Sequence, residues 1–394
     1  MSEAAILQWE EAGESCRARW RSEAGVNPAR RVMVVDETIA ADAAYRLASE
    51  GTALLWRGDF QNARQILNAL ARRADRRNDR RADKKNVKAR TPAADAGAAE
   101  MRDVFNRHRL AQAQRARTLG MLLIPLDADY GIPLRRAPDL RAACAEAWGP
   151  GGASPSVVSL RELLGLVGAH EWRKKGVEVA ALDARIRPHY GVFAPVRGEY
   201  VDLVAQAPLP AAMQGNSLAF DVGTGTGVLA AVLARRGVAR IIATDQDARA
   251  LACARENLSR LGLAAQVDIT AADLFPAGRA PLIVCNPPWI PARPSAPIEY
   301  AIYDPDSRML RGFVSGLAAH LESDGEAWLI LSDIAEHLGL RSRAELLQIF
   351  GAGGVKVIAR SDVRPHHPRV ADTDDPLHAV RAAEVTSLWR LGLR

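Results

Sequence analysis

The sequence is poor in the residues that build a covalent or metal framework: its 394 residues include four cysteines, Cys16, Cys144, Cys253 and Cys285, scattered without a CxxC pair. Neither a zinc site nor a disulfide scaffold is signalled, so no metal is expected, and the usage fits a reducing cytoplasm. Long apolar runs are missing as well. The nearest, MLLIPL at 121–126, falls far short of the ~20 residues of a membrane helix, and no membrane partner is expected. The N-terminus is charged from its third residue and lacks the basic-then-apolar order of a secretory signal.

Excess charge is scarce everywhere except in one place. The formal net charge is +6, but residues 72–90, RRADRRNDRRADKKNVKAR, hold ten Lys/Arg against three Asp, which leaves the rest of the chain close to neutral. On a helix, Arg72, Arg76, Arg80, Lys84 and Lys88 form one row and Arg73, Arg77, Arg81 and Lys85 the next. The functional reading is a salt-sensitive phosphate contact to RNA or the ribosome. The competing reading is a solvated, low-complexity linker. No aromatic residue lies inside the run, so base stacking is not indicated there.

What is present is ordinary globular material. Hydrophobic residues make up 48% and charged residues 25%, which argues against wholesale disorder, and the length predicts two or three domains. Residues 1–148 read as a mostly helical N-terminal region, with apolar residues at helical spacing over 60–71 and 104–123 and Asp59 placed to cap the first of these helices. Residues 91–100 read as linker and 149–156 as a Gly/Pro/Ser break. A helical connector is expected over 157–190, with an extended stretch over 189–210. From about residue 217, short β-branched or apolar runs alternate with Ala/Leu/Arg helical patterns. That order predicts a doubly wound α/β fold over 191–394, with a parallel sheet covered on both faces.

Three acids and a glycine loop punctuate this domain. DVGTGTG at 221–227 ends the first strand, and Gly223, Gly225 and Gly227 permit positive φ and close approach of a ligand to the backbone. Taken alone the loop also fits a relaxed dinucleotide fingerprint, Gly225-Gly227-Ala230, so an NAD oxidoreductase stays open, as does a turn that only joins strand to helix. Asp245 ends the second strand and is placed for both hydroxyls of a ribose. Asp247 reads as a helix cap. Asp273 follows the third strand, where it could take a hydrogen bond from an adenine amino group or serve a turn. IVCNPPW at 283–289 ends the fourth strand. The carbonyls of Asn286 and Pro287 can each accept a hydrogen from one planar –NH2 group, with the ring of Trp289 stacked on the attached plane. Holding both hydrogens out of plane favours the geometry in which the nitrogen lone pair faces an electrophile.

The ordered motifs DVGTGTG, TDQDARALACAREN, ADLF and NPPW resemble the S-adenosylmethionine-dependent methyltransferases of the HemK and methyltransferase small domain type, over about residues 190–394. The resemblance implies a seven-stranded class I fold and N-methylation of a planar nitrogen. It implies that Asp221, Gly223, Thr224, Gly225 and Gly227 hold the methionine part of the cofactor, Asp245 its ribose and Asp273 its adenine. It also implies that Asn286, Pro287, Pro288 and Trp289 form the acceptor loop. The lead-in GVFAPVRGEYVDLV is similar to the proline-arginine-acid hairpin that precedes such domains. Two features depart from the type: Trp289 stands where the glutamine methyltransferases typically have tyrosine, and no HemK-type substrate domain is recognisable upstream. The acceptor therefore stays open between an RNA base amine, favoured by the basic segment, and a glutamine amide of a release factor or ribosomal protein. A catalytically silent RNA- or cofactor-binding scaffold is a further alternative. His366 and His367 are given no role.

Overall fold

The computed structural model describes residues 5–86, 97–294, 297–366 and 375–394. They divide into two compact units, Met1–Thr91 with Asn106–Glu171, and Pro92–Phe105 with Trp172–Arg394.

The first unit contains β1 (Ile6–Glu11), β2 (Glu14–Arg21), β3 (Arg31–Val35), α1 (Ala41–Ser49), β4 (Thr52–Trp56) and α2 (Phe60–Asn86). After α3 (Ala98–Leu119) come β5 (Leu122–Leu126), α4 (Arg141–Trp148), β6 (Ser156–Ser159) and α5 (Leu160–Lys175), and the units divide within α3 and within α5. Helices hold most of the regular residues, but they flank a six-stranded mixed sheet, β1-β2-β6-β5-β4-β3, absent from the expectation of a mostly helical region. The physical reason is strand length. β4 (TALLW), β5 (LLIPL) and β6 (SVVS) are four- or five-residue runs buried at every position, and such runs carry neither a helical nor an alternating period. β1 and β2 form a hairpin through Ala12 and Gly13, both with positive φ (53° and 84°), as a tight two-residue turn requires.

Asp59 caps α2 as expected, its Oδ1 accepting from the Gln61 backbone N–H at 2.8 Å. The helix then continues unbroken into the basic segment as far as Asn86, while Lys88, Arg90 and most of the expected linker lie outside the described residues. Nor does 157–190 form one connector: its start is β6, α5 follows, and 177–186 is a two-stranded hairpin of the second unit, β7 (Val177–Val179) with β8 (Ala184–Ile186).

The second unit continues with α6 (Glu199–Gln206), β9 (Leu218–Val222), α7 (Val228–Arg235), β10 (Arg240–Asp245), α8 (Ala248–Arg260), β11 (Val267–Ala271) and β12 (Ala280–Cys285). Then come α9 (Arg308–His320), β13 (Leu321–Ser332), α10 (Ile334–His337), α11 (Arg343–Ala352), β14 (Val355–Val363), α12 (His378–Ala383) and β15 (Thr386–Leu393). The sheet order is β11-β10-β9-β12-β13-β15-β14, with β15 antiparallel to both of its neighbours. This is the expected doubly wound, seven-stranded α/β fold. Every strand expected after residue 217 is present, because these runs are flanked by helix-length segments that fix their type. The stretch at 189–210 differs. Instead of a hairpin, it holds α6, whose Tyr200, Val201 and Val204 fall on one buried face at helical spacing.

Two apolar layers sandwich the sheet. One joins α6 and α7 to Ala219, Ile241, Val284 and Ile330, and the other joins α9 and α11 to Phe220, Ile283 and Leu329. Alternate residues of the same strands face opposite layers, so the central strands are largely apolar on both faces, with Asp221 of β9 a buried exception.

Candidate active site

The sheet register brings three loops to one level. Val222 of β9 pairs with Thr244 of β10 on one side and with Cys285 of β12 on the other. Gly223, Asp245 and Asn286, the next residue on each strand, therefore leave the sheet side by side. β9 and β12 flank the point where the strand order reverses, the crevice in which open α/β sheets take their ligands.

The glycine loop needs its glycines. Gly223, Gly225 and Gly227 have φ of 74°, 55° and 80°, a region costly for residues with a Cβ. A Cβ on Gly227 would lie 3.2 Å from Cα of Ala254, so this glycine also lets α7 approach α8, whereas a Cβ on Gly225 would meet nothing within 4 Å. The Thr244 carbonyl ties the loop to β10 by accepting from the N–H groups of Gly223 (2.9 Å) and Thr224 (2.8 Å).

Asp221 is 1% exposed. Its Oδ2 accepts from the Thr224 hydroxyl (2.6 Å) and the Ala230 N–H (3.0 Å), while its Oδ1 is buried without a partner. Burial, with a smaller contribution from the nearby Asp245, pushes this carboxyl up to about 6. A half-satisfied buried carboxylate calls for a donor, and a cationic one restores its charge. Asp245 accepts from the N–H of Gly225 through Oδ2 and of Asp247 through Oδ1, both at 3.0 Å, and burial raises its pKa as well. Asp247 caps α8 by accepting from the Arg249 N–H at 2.8 Å. Asp273 is exposed beside the edge strand β11, within 3.4 Å of Arg308.

At the end of β12, the Trp289 indole N–H donates to Oδ1 of Asn286 at 2.9 Å. The indole is packed against the apolar layers rather than standing free as a stacking platform, and the Arg197 guanidinium lies 5.6 Å from its ring centroid. Pro287 is buried and Pro288 half-buried; lacking N–H groups, neither can donate from the loop. Beyond Trp289 the chain is pinned through Ile290, which accepts from the Asp304 N–H at 2.8 Å, and Asp304 in turn caps α9 by accepting from Met309 and Leu310. Met101 and Phe105, from the start of α3, pack on Ile290, Trp289 and Tyr303 within the same unit.

Sequence reasoning missed Arg197, Asp304, Met101 and Phe105 as parts of this site. Only Arg197 carried a signal, its place in the lead-in motif. Among the described residues no group of three or more His, Cys, Asp or Glu could hold a metal ion, and no helix is long and apolar enough to cross a membrane.

Residues 183–362 match the Methyltransferase small domain family. The release factor glutamine methyltransferase of Cereibacter sphaeroides is 35% identical over 158 residues, covering 36% of this chain and 55% of that protein. A ribosomal protein L11 methyltransferase of Pelotomaculum thermopropionicum is 44% identical over 69 residues, covering 17% and 22%. The tRNA1(Val) (adenine(37)-N6)-methyltransferase of Bacteroides thetaiotaomicron is 26% identical over 188 residues, covering 46% and 78%. The chain thus spans about half the length of the release factor enzyme it matches.

Proposed function

We propose, from the match of residues 183–362 to the Methyltransferase small domain family, that the chain is an S-adenosylmethionine-dependent N-methyltransferase acting on a planar nitrogen. The observation that carries the reading is the shared level of Gly223, Asp245 and Asn286 at the sheet's reversal point. It puts a glycine loop, a ribose-type carboxylate and an amide-type acceptor at one crevice.

The residues fit the cofactor on their own chemistry. Asp221 Oδ1, buried and without a partner, suits the ammonium of the methionine part. Asp245 suits two vicinal hydroxyls, and the open side of Gly225 leaves room beside the loop. Asp273 is left as the adenine contact by the resemblance alone. When bound, S-adenosylmethionine supplies the methyl on a sulfonium, already activated. The protein's own work is then orientation and exclusion of water. Asn286 Oδ1 has a second lone pair beyond the one used by Trp289, and with the Pro287 carbonyl it can hold the two hydrogens of the acceptor –NH2. The acceptor nitrogen loses its proton to solvent after transfer, so no strong base is required.

For the acceptor, an exocyclic amine of an RNA base is the first reading. It is supported by α2, which presents Arg72, Arg76 and Arg77 as exposed cations at the entry to the basic segment. The side-chain amide of a glutamine in a translation protein is the second, supported by the identity to release factor enzymes. Incubation with methyl-labelled cofactor and a ribosome-rich lysate separates them: label sensitive to ribonuclease supports the first, and label sensitive only to protease replaces it with the second.

A further inference from the structure

We infer that Arg197 and Glu384 are positioning residues that fix the orientation of the Asn286 amide through Trp289. The Glu384 side chain is fully buried and accepts from Arg197 Nη1 at 2.7 Å and from the Ser332 hydroxyl at 2.7 Å. Ser332 Oγ accepts in turn from the Ile334 N–H at 3.0 Å, and Asp333 Oδ1 accepts from the Val385 N–H at 2.7 Å. The carboxylate is therefore locked to the end of β13, and a buried carboxylate holds its partner strongly, because the unpaired charge is costly.

Arg197, 19% exposed, cannot wander from that anchor, and its guanidinium sits within cation–π range of the Trp289 ring. The Trp289 backbone is held separately, its carbonyl accepting from the buried Arg341 at 3.4 Å. With ring and backbone fixed, the indole N–H has one direction, and it meets Asn286 Oδ1. An asparagine amide has two acceptor lone pairs on one side and two donors on the other. If it flipped, its –NH2 would face both the indole N–H and the acceptor –NH2. Tryptophan can only donate, so it excludes that flip, whereas a tyrosine hydroxyl could donate or accept. This gives the Trp289 departure from the family pattern a physical role, and its consequence for turnover rests on the N-methyltransferase reading.

The test uses the full chain and the Trp289 indole N–H, assigned by its disappearance in Trp289→Phe. In the double variant R197M/E384Q, which leaves no unpaired buried charge, the indole resonance should shift and its hydrogen exchange should quicken by at least about tenfold. The affinity for S-adenosylhomocysteine should be unchanged. Methyl incorporation from labelled cofactor into bulk ribosomal RNA and protein should fall on the order of ten- to a hundredfold in kcat with KM for the cofactor retained, and Arg197→Lys should restore part of it. An indole resonance unmoved in shift and exchange would overturn the proposal, and this readout needs no acceptor. It therefore decides the point even if the wild type methylates nothing, an outcome that would sink the methyltransferase reading instead. Should the double variant fail to fold, Trp289→Phe decides: wild-type kcat in that variant would overturn the proposal, and a reduced kcat with cofactor affinity intact would support it.

Discussion

Replacing Asp221 by asparagine should lower cofactor affinity and stabilise the ligand-free protein. Burial lifts this carboxyl from its usual 3.8 to about 6, and a rise of that size corresponds to about 3 kcal/mol. The sign follows from which form is favoured. A raised pKa in the folded state means that the ionised form is disfavoured there. The folded protein is best off, as far as this group goes, below pH 3.8; stability is lost as pH climbs from about 4 to 6, and above about 6 the full cost is present. The amide would escape that cost while keeping an oxygen for the Thr224 hydroxyl and the Ala230 N–H. The –NH2 would lie buried where Oδ1 has no partner, which takes back about 1–3 kcal/mol, so a gain of up to about 2 kcal/mol remains at pH 8, raising Tm by at most roughly 8 °C for a unit of this size. Against the cofactor's ammonium, loss of the charged partner costs about 1.5–3 kcal/mol, roughly ten- to over a hundredfold in Kd. Wild-type affinity should weaken about tenfold per pH unit below about 6. Asp245, also raised by burial, titrates in both proteins, so the difference between the two profiles isolates Asp221. Calorimetric titration with S-adenosylhomocysteine from pH 5 to 8, alongside thermal unfolding, reads both halves. Equal affinity of variant and wild type at pH 8, or a flat wild-type profile, would refute the reasoning.

Three further outcomes are expected. Phe105→Ala should destabilise the second unit by about 3–5 kcal/mol, because the ring is 3% exposed under the loop that follows Trp289; a change below about 1 kcal/mol in urea unfolding would mean the contact is loose. Gly227→Ala should impair cofactor binding, since the added Cβ meets Ala254 at a positive φ; strain of this kind costs about 1–3 kcal/mol, and undiminished affinity for S-adenosylhomocysteine would contradict it. Arg76, Arg77, Arg80 and Arg81 changed together to Gln should weaken RNA retention and lower its dependence on salt by up to about four phosphate contacts. An unchanged salt slope would reduce the basic segment to linker composition.

The candidate site was legible because its information is local. DVGTGTG, the aspartate at the end of β10 and NPPW each mark the end of an apolar strand, and the alternation of strands with helices fixed their order. The first sheet was hidden because TALLW and LLIPL are too short and too uniformly apolar to show a period, and because β2, ESCRARWR, carries charges on its exposed face. The lead-in was misjudged for a different reason. The stretch 189–210 read as extended, but EYVDLVAQ has one apolar face and packs it on α7. The way Arg197 meets Glu384 and Trp289 could not be read from any motif, since these contacts join residues 187 and 92 positions apart in the chain, and the Asn286 amide orientation depends on a donor direction that only packing defines.

The central claim is methyl transfer to a planar nitrogen, and mass spectrometry of the acceptor tests it most directly. Purified protein would be incubated with deuteromethyl S-adenosylmethionine and a ribosome-rich lysate, and the RNA and protein digested to nucleosides and amino acids. The account predicts a deuterated N-methyl group on an exocyclic base amine or, on the second reading, on the glutamine amide, and its absence with Asn286→Ala even though that variant still binds S-adenosylhomocysteine. A deuteromethyl group on oxygen, carbon or sulfur, or one transferred equally well by Asn286→Ala, would contradict it.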